Sequence, residues 1–295
     1  MRKKVVIAGG TGFIGQYFEK QFHSMGYDVL VISRSNEHIN WHNKGEIKEA
    51  LEGAELLVNL AGKSVNCRYN ASNKLEIVMS RTETTAILGN ALLECTAPPP
   101  LWINSSTATI YRHAEDRPMT EKKGEIGSGF SVDVAKVWEE TFFNFELPHT
   151  RQIALRIAIV LGKSGGVMTP YKNLVTFGLG GYQGSGRQMF SWIHIEDLYE
   201  IILFLKERED LAGVFNCSSP HPVTNRELMV HLRNSMNRKI GLPTPAWMLK
   251  AGAVLIRTEP ELVLKSRWVL PERLEQAGYT FKYKNLEDAL KEIFK

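Results

Sequence analysis

The stretch from Val5 to Gly15, VVIAGGTGFIG, constrains the fold of this chain more than any other. Its first four residues are apolar and mostly β-branched, which is typical of a buried parallel strand. Three glycines follow at spacings of three, and the residues up to Phe22 place apolar groups on one face of a helix. Strand, glycine turn and helix start together predict a dinucleotide-binding unit.

Each glycine would have its own role in such a unit. Gly9 would allow the tight turn, Gly12 would let the backbone approach a pyrophosphate, and Gly15 would let the helix pack against the strand. The positive end of the helix would face the phosphates. A plain strand–helix turn is the alternative, and a second strand predicted about 20 residues later argues against it. We therefore expect cofactor contacts from Gly9, Thr11, Gly12, Phe13, Ile14 and Gly15.

The end of the second predicted strand, Asp28–Ser33, indicates which dinucleotide is bound. An acidic residue at this place would bind the ribose 2′-hydroxyl of NAD. The chain has Ser33, Arg34 and Ser35 there instead. An arginine with flanking hydroxyls can bind a 2′-phosphate through charge-assisted hydrogen bonds. The sequence thus predicts NADP(H), with Ser33 and Arg34 as ligands of that phosphate.

The composition narrows the class of protein. The chain has 295 residues, 43% hydrophobic content and a net charge of +4, without a long basic run. These values are typical of a globular protein and do not indicate nucleic-acid or membrane binding. The most apolar stretch, 246–256, is far shorter than a membrane span of about 20 residues and contains Lys250.

The cysteine and histidine patterns indicate neither disulfides nor a metal site. Cys67, Cys95 and Cys217 are widely spaced and form no CxxC pair, which favours a reducing compartment and predicts a cytoplasmic protein. His38 and His42, four residues apart, could supply half of a metal site on a helix, but no nearby cysteine or acidic cluster completes it. Because Asn40 and Asn43 disfavour a stable helix, we expect a loop there.

The remainder of the chain alternates between predicted strands and helices. A strand at 54–60 ends in Leu60-Ala61-Gly62, whose small residues would let the cofactor lie close to the backbone. A strand at 101–104 leads into the hydroxyl-rich Ser105–Tyr111. We predict helices over 74–95, 130–145, 198–205, 224–236 and 286–294, and further strands over 153–161 and 213–217. Residues 162–186 are glycine-rich and could wrap a ligand.

This alternation predicts an α/β fold, a Rossmann-type doubly wound parallel sheet with a smaller C-terminal substrate domain. We expect the first domain to span 1–165, with 188–217 returning to it, and the second to span 166–295. Arg156 lies inside an apolar strand, so a pairing with an acid is expected. His194 lies between two isoleucines, where a packed strand histidine is the default interpretation.

Several motifs resemble the extended short-chain dehydrogenase/reductase superfamily. They are AGGTGFIG at 8–15, NLAG at 59–62, SSTATIY at 105–111, LRIAIVLG at 155–162 and GSGRQMFSWIHIEDL at 184–198. The chain is most similar to the atypical branch called epimerase family proteins, or nucleoside-diphosphate-sugar epimerase-like. That similarity rests on Arg68-Tyr69, on Ser80-Arg81 with Thr85, on Trp138-Glu139-Glu140, and on LPERLEQAGY at 270–279.

The resemblance implies a site in which a Tyr-x-x-x-Lys pair and a Ser or Thr act beside a nicotinamide. By position, Thr107 matches the Ser or Thr and Lys136 matches the lysine, in a register that rests on Glu140. The tyrosine position falls on Val132, which has no proton to give. Tyr111 is a candidate substitute for that tyrosine. Substrate contacts are expected from Arg68, Tyr69, Arg187 and His194, and a further cofactor contact from Ser105.

The resemblance implies an NADP(H)-dependent oxidoreductase or epimerase-like enzyme for a small carbonyl or sugar-type substrate, as a monomer or homodimer. Because the usual tyrosine is absent, a second interpretation stays open, in which the chain binds NADP(H) without turnover as a redox sensor or partner-binding protein.

Overall fold

Seven parallel strands form the central sheet of the computed structural model, which describes residues 3–249 and 261–295. In chain order the strands are β1 Lys4–Ala8, β2 Asp28–Ser33, β3 Ile39–Asn40, β4 Leu56–Asn59, β5 Leu101–Thr107, β6 Arg151–Ile157, β7 Ile159–Leu161, β8 Met189–Phe190, β9 Trp192–His194, β10 Gly213–Cys217 and β11 Val223–Thr224. The main sheet has the order β10-β6-β5-β4-β1-β2-β3. This is the doubly wound order of a Rossmann-type fold, and the order reverses between β1 and β4.

Helices cover both faces of the sheet. They are α1 Phe13–Ser24, α2 Lys44–Leu51, α3 Ala71–Glu94, α4 Phe130–Phe143, α5 Met168–Thr176, α6 Ile195–Glu207, α7 Asn225–Ser235, α8 Glu261–Leu264, α9 Glu272–Gln276 and α10 Leu286–Ile293. Alternate residues of a strand point to opposite faces. Val5 and Ile7 therefore pack with α1 and α6, while Val6 and Ala8 pack with α2, α3 and α4.

A third apolar cluster lies outside the sheet and joins α5, α7 and α10. Thr224 caps α7 and forms a reciprocal capping box with Glu227, at the start of the helix predicted over 224–236. β10 pairs with β6 in parallel, which brings Gly213–Cys217 back to the main sheet. The domain boundaries at 165 and 188–217 stay a prediction.

Three local differences from the sequence predictions have physical causes. α2 follows the loop that contains His38 and His42, and no helix was predicted there; the Asn43 side chain accepts a hydrogen bond from the Glu46 N–H at 3.2 Å and so starts the helix. The predicted strand 153–161 is interrupted at Ala158, whose N–H donates to Cys217 instead. The glycine-rich segment contains α5, whose Met168 and Val175 are buried in the third cluster.

The predicted inner stripe of the helix at 74–95 was wrong in its first half. We expect from the sequence that Leu75, Val78, Met79 and Thr82 face inward, with Ile87, Ala91 and Leu92. Leu75 is 59% exposed and Met79 38% exposed, whereas Ile77 and Thr85 are buried. Apolar residues occur on both sides of this part of α3, so hydrophobic periodicity alone does not fix its rotation.

Among the described residues, no helix is long and apolar enough to cross a membrane. The apolar stretch 246–256 lies largely outside the described residues.

Candidate functional site

The glycine turn after β1 is shaped by close backbone contacts. Gly9 has a φ of +78°, and a methyl group placed on it would lie 2.7 Å from the Ala61 nitrogen. A methyl group on Gly15 would lie 2.5 Å from the Gly10 Cα. At Gly12 such a group would meet only the Gly9 carbonyl oxygen, at 3.7 Å. The turn is therefore tightly packed at Gly9 and Gly15 and open at Gly12, as a pyrophosphate requires.

The start of α1 favours an anion. Gly12 is the N-cap and provides no side-chain hydrogen bond, and the first turn contains no acidic residue. The N–H groups of a first helical turn have no partner within the helix, so those of Phe13 and Ile14 point toward the turn with the positive end of the dipole. Thr11 is exposed, and its carbonyl accepts a hydrogen bond from the Gln16 side chain at 3.1 Å.

The exit of β4, Leu60–Gly62, is held by a buried polar network. The Asn59 side chain accepts from the Ala61 N–H at 3.0 Å and donates to Asn104 at 2.6 Å and to Thr85 at 3.2 Å. Thr85 also accepts from the Trp138 indole N–H at 3.1 Å. Side chains from β4, β5, α3 and α4 thus fix the backbone beside the point where the strand order reverses.

Arg81 lies directly over this exit, and the sequence reasoning did not single it out as a ligand. Its guanidinium carbon would be 3.1 Å from a methyl group placed on Gly62. It donates to the carbonyl oxygens of Ile77 and Lys63 at 2.9 and 3.2 Å. It also lies 5.0 Å from the ring centre of Trp138.

The structure places Ser33 and Arg34 at the carboxyl end of β2, on the same sheet edge as the glycine turn. Ser33 is buried, accepts from the Ser35 N–H at 2.9 Å and lies 3.1 Å from His38 Nδ1. Arg34 is exposed. Ser105 is also buried, and its carbonyl oxygen accepts from the Asn104 side chain at 2.9 Å.

The residues assigned to catalysis are not brought together. Thr107 ends β5, and its Oγ1 accepts from the Thr109 N–H at 3.1 Å. Lys136 is exposed on α4, whereas Val132 is fully buried in an apolar cluster. Tyr111 is only 2% exposed. An exposed lysine and a buried valine four residues apart do not reproduce the geometry of a Tyr-x-x-x-Lys pair.

Tyr111 is a structural residue, which corrects its assignment as a substitute proton donor. Its hydroxyl donates to Asn216 Oδ1 at 2.9 Å and accepts from Arg156 Nη1 at 2.9 Å. Burial raises the pKa of the Tyr111 hydroxyl despite the nearby Arg156 charge. The O–H of Tyr111 is thus already used in a hydrogen bond within the fold.

Arg156 pairs with Glu139, as expected for a cation inside an apolar strand. The two side chains form two hydrogen bonds at 2.8 and 2.7 Å, and Glu139 also accepts from Ser106 Oγ at 2.6 Å. Glu140, on which the register of Lys136 rests, is exposed. When the register is counted from the inward-facing Glu139, the tyrosine and lysine positions become Ser131 and Ala135. Neither register supplies the pair.

Two of the four predicted substrate residues lie near the site. Tyr69 packs edge-on against Phe130, with 4.9 Å between ring centres, and Arg68 is half-buried in the same loop. Arg187 is exposed. His194 is 3% exposed: it caps α6 through Nδ1 and lies 3.1 Å from Glu292 through Nε2. This burial and these partners agree with the interpretation of His194 as a packed histidine, and a substrate contact stays a prediction.

Two buried cations near the exit of β5 were missed by the sequence reasoning. Lys265 Nζ donates to the Thr109 carbonyl at 3.0 Å, and Arg267 Nε donates to Thr109 Oγ1 at 3.2 Å. Burial lowers the pKa of both side chains. Lys265 also lines a cavity of about 660 Å³ with Arg112, His113 and Glu261. No sequence motif indicates this cavity, because its lining residues are distant in the sequence and come together only in the fold.

Comparisons with known proteins agree with this geometry. Residues 5–137 match the model of the NAD dependent epimerase/dehydratase family, and residues 244–293 match a domain of unknown function, DUF1731. The human epimerase family protein SDR39U1 is 31% identical over 98% of this chain and 99% of its own length. The chain belongs to this epimerase family. An epimerase family protein of Staphylococcus aureus is 28% identical over 99% of both chains.

Solved structures of relatives show the same fold. The crystal structure of human SDR39U1 with NADPH has a TM-score of 0.88 and 31% identity, with 99% of each chain covered. The nucleoside-diphosphate sugar epimerase of Corynebacterium glutamicum has a TM-score of 0.79 and 27% identity, and the match covers 99% of this chain and 58% of that one.

Among residues 3–249 and 261–295, no group of three or more His, Cys, Asp or Glu side chains could hold a metal ion.

Proposed function

We propose that this chain binds NADP(H) and uses it as a redox cofactor on a small carbonyl or sugar-type substrate, within the chemistry of its family. The observation that carries the proposal is the turn that is closed at Gly9 and Gly15 but open at Gly12. The human relative solved with NADPH supports it, as does the absence of a carboxylate at Ser33-Arg34.

The bound cofactor would supply or accept a hydride. Its adenosine 2′-phosphate would lie at Ser33 and Arg34, and its pyrophosphate at the glycine turn. Leu60, Ala61, Gly62 and Ser105 would line its path along the sheet edge. Thr107 would hold the substrate oxygen: its Oγ1 accepts from the Thr109 N–H, and its own O–H can donate to the substrate. Arg68 and Tyr69 would contact the substrate from the loop after β4.

A second function is favoured by one observation, namely that neither register of α4 provides the tyrosine–lysine pair. Tyr111 is buried and Lys136 is exposed, so neither replaces the missing pair. A protein that binds the cofactor without turnover needs no such pair and would keep the cofactor site. Such a protein would respond to the NADPH to NADP⁺ ratio or present a surface to a partner.

One experiment separates these functions. The purified protein is titrated with NADPH and with NADH, followed by nicotinamide fluorescence, and then mixed with carbonyl compounds and nucleotide sugars. Oxidation of bound NADPH supports the enzyme, and Thr107→Val should then lower the turnover without changing NADPH affinity. Tight binding without oxidation across the panel favours the binding protein. If neither nucleotide binds, the proposed function is wrong.

A further inference from the structure

A surface outside the main sheet exposes several large apolar side chains. Phe177, Ile240, Leu242 and Trp247 are each 59% to 79% exposed. Single exposed apolar side chains are normal on a protein, but a group of them on one surface marks a place where something binds. We call this group of four residues the apolar edge.

Backbone hydrogen bonds bring the parts of the apolar edge together. The Leu242 N–H donates to the Gly178 carbonyl at 2.8 Å, and the Leu242 carbonyl accepts from the Gly181 N–H at 3.1 Å. Phe177 is the chain neighbour of Gly178, so its backbone lies beside that of Leu242. The other members of the edge are within five residues of Leu242, a span of at most about 17 Å.

The segments that contain the apolar edge are strongly basic. Residues 162–187 and 221–249 have seven lysine and arginine residues but one acid, Glu227, whose carboxylate takes part in the capping box with Thr224. The whole chain has a net charge of only +4, so positive charge is concentrated in these segments. Arg238 and Lys239 directly precede Ile240, and both are exposed. The occupant of this surface should therefore be both apolar and negatively charged.

An anionic bilayer fits this combination better than a second copy of the chain or a nucleic acid. A two-fold dimer through the apolar edge would bring the Arg238 and Lys239 of both copies together. Single-stranded nucleic acid is bound by aromatic rings on which bases stack, whereas Ile240 and Leu242 are aliphatic. Anionic headgroups attract lysine and arginine, and aliphatic and indole side chains enter the membrane interface.

We propose that the apolar edge docks this protein reversibly onto the surface of a membrane that contains anionic lipids. Phe177, Ile240 and Leu242 would enter the boundary between headgroups and acyl chains, with Trp247 at the same level. The cations beside them would bind the headgroups. Docking of this kind needs no membrane-spanning helix. The inference goes beyond the proposed function, since it requires neither NADP(H) nor a substrate.

The apolar contribution is tested by co-sedimentation of the full chain with vesicles. One kind contains phosphatidylserine and phosphatidylcholine in equal parts, and the other contains phosphatidylcholine alone. Leu242→Ser is compared with Leu93→Ser, because the two leucines are similarly exposed, at 59% and 56%, and Leu93 lies on α3 beside the main sheet. The wild type should bind the mixed vesicles and not the neutral ones. Leu242→Ser should weaken this binding by about tenfold or more, and Leu93→Ser should leave it unchanged.

The electrostatic contribution is tested with two double variants. Arg238→Gln with Lys239→Gln should weaken binding to the mixed vesicles by about fivefold for each cation removed. Lys20→Gln with Lys44→Gln removes two exposed cations from α1 and α2 and should bind as the wild type does. The thermal midpoint of every variant shows whether it is folded.

Trp247 gives a direct readout of insertion. Bromine atoms on the acyl chains quench an indole that enters the bilayer, so mixed vesicles with brominated chains should quench part of the tryptophan emission of the wild type. The other five tryptophans are buried or partly buried. Trp247→Phe keeps an aromatic side chain, so it should still bind the vesicles while most of the quenching disappears.

Other outcomes overturn the proposal. They are an absence of wild-type binding to either vesicle, equal binding to both kinds, equal losses in Leu242→Ser and Leu93→Ser, or quenching that survives Trp247→Phe. Without vesicle binding, retention of single-stranded DNA that Leu242→Ser abolishes would assign the apolar edge to a nucleic acid. A concentration-dependent dimer that the same substitution abolishes would assign it to a second copy. NADPH titration of the same samples tests the proposed function separately.

Discussion

Arg156 on β6 and Glu139 on α4 face each other through two parallel hydrogen bonds, Nε to Oε1 at 2.8 Å and Nη2 to Oε2 at 2.7 Å. Each side chain is only 12% exposed. Glu139 lies on the same helix as Val132, which is fully buried in the core. The ion pair and the buried apolar residues of α4 together hold the helix in the orientation that leaves Lys136 exposed.

Removing one member of this pair should destabilise the protein strongly. Glu139→Gln leaves the Arg156 charge buried without its partner, so we expect the free energy of unfolding to fall by about 3–5 kcal/mol. Urea denaturation at pH 7 measures this change. As a control, Glu287→Gln breaks the exposed Glu287–Lys291 pair and should leave the unfolding curve in place. An equal effect of the two substitutions would contradict the structural role of Glu139.

Alanine substitutions at Gly12 and Gly15 should have different effects, one on NADPH binding and the other on thermal stability. Gly12 has a φ of −80°, and alanine there meets no atom closer than 3.7 Å. Gly12→Ala should therefore keep the thermal midpoint but abolish tight NADPH binding, because its methyl group occupies the space of the pyrophosphate. Gly15→Ala should lower the thermal midpoint, since its methyl group would overlap Gly10 at 2.5 Å. A fluorescence titration in which Gly12→Ala binds NADPH as tightly as the wild type would refute the proposed place of the pyrophosphate at Gly12.

Local signals in the sequence were sufficient for six of the seven strands of the main sheet, all except β3, but not for the site. β-branched runs and the glycine spacing predicted β1, β2 and the turn, because these depend on neighbouring residues. The half-buried Glu139 of α4 is paired with Arg156, a residue of β6 that it meets only in the fold. The cleft beside Thr109 likewise needs Lys265 from the far end of the chain. Contacts of this range leave no periodic pattern.

Arg34 should determine the preference for the phosphorylated cofactor. Its exposed guanidinium at the end of β2 can reach an adenosine 2′-phosphate. Arg34→Ala should weaken NADPH by about tenfold or more and leave NADH unchanged, since NADH lacks that phosphate. Parallel fluorescence titrations give the ratio of the two affinities. The assignment fails if this ratio is the same in the variant and in the wild type.

Tyr111 provides a direct test of its structural role. Tyr111→Phe removes the hydroxyl that bridges Asn216 and Arg156, which leaves buried polar groups unsatisfied. The free energy of unfolding should fall by about 1–3 kcal/mol. NADPH affinity, and any turnover per folded molecule, should stay at the wild-type level. A loss of turnover without a loss of stability would return Tyr111 to the catalytic site.

His194 should make the fold sensitive to acid. Its Nδ1 accepts from the Glu196 N–H at 3.3 Å, its Nε2 lies 3.1 Å from Glu292, and its ring packs on Tyr283 with centres 4.0 Å apart. Lys163 also binds Glu292, at 3.0 Å. Burial lowers the pKa of His194 below its ordinary value of 6.5, against the opposing effect of Glu292. The neutral ring is therefore the form that the folded protein keeps.

A histidine with a lowered pKa costs stability in acid, because the unfolded chain takes up the proton first. The loss begins as the pH falls through 6.5, and it grows until the pH is below the lowered pKa of the folded protein. His194→Asn keeps a helix-capping side chain but does not titrate. Urea denaturation of both proteins from pH 7.5 to 5.5 should therefore show a steeper decline for the wild type, since their other titrating groups are shared. Parallel declines would exclude His194 as the group responsible.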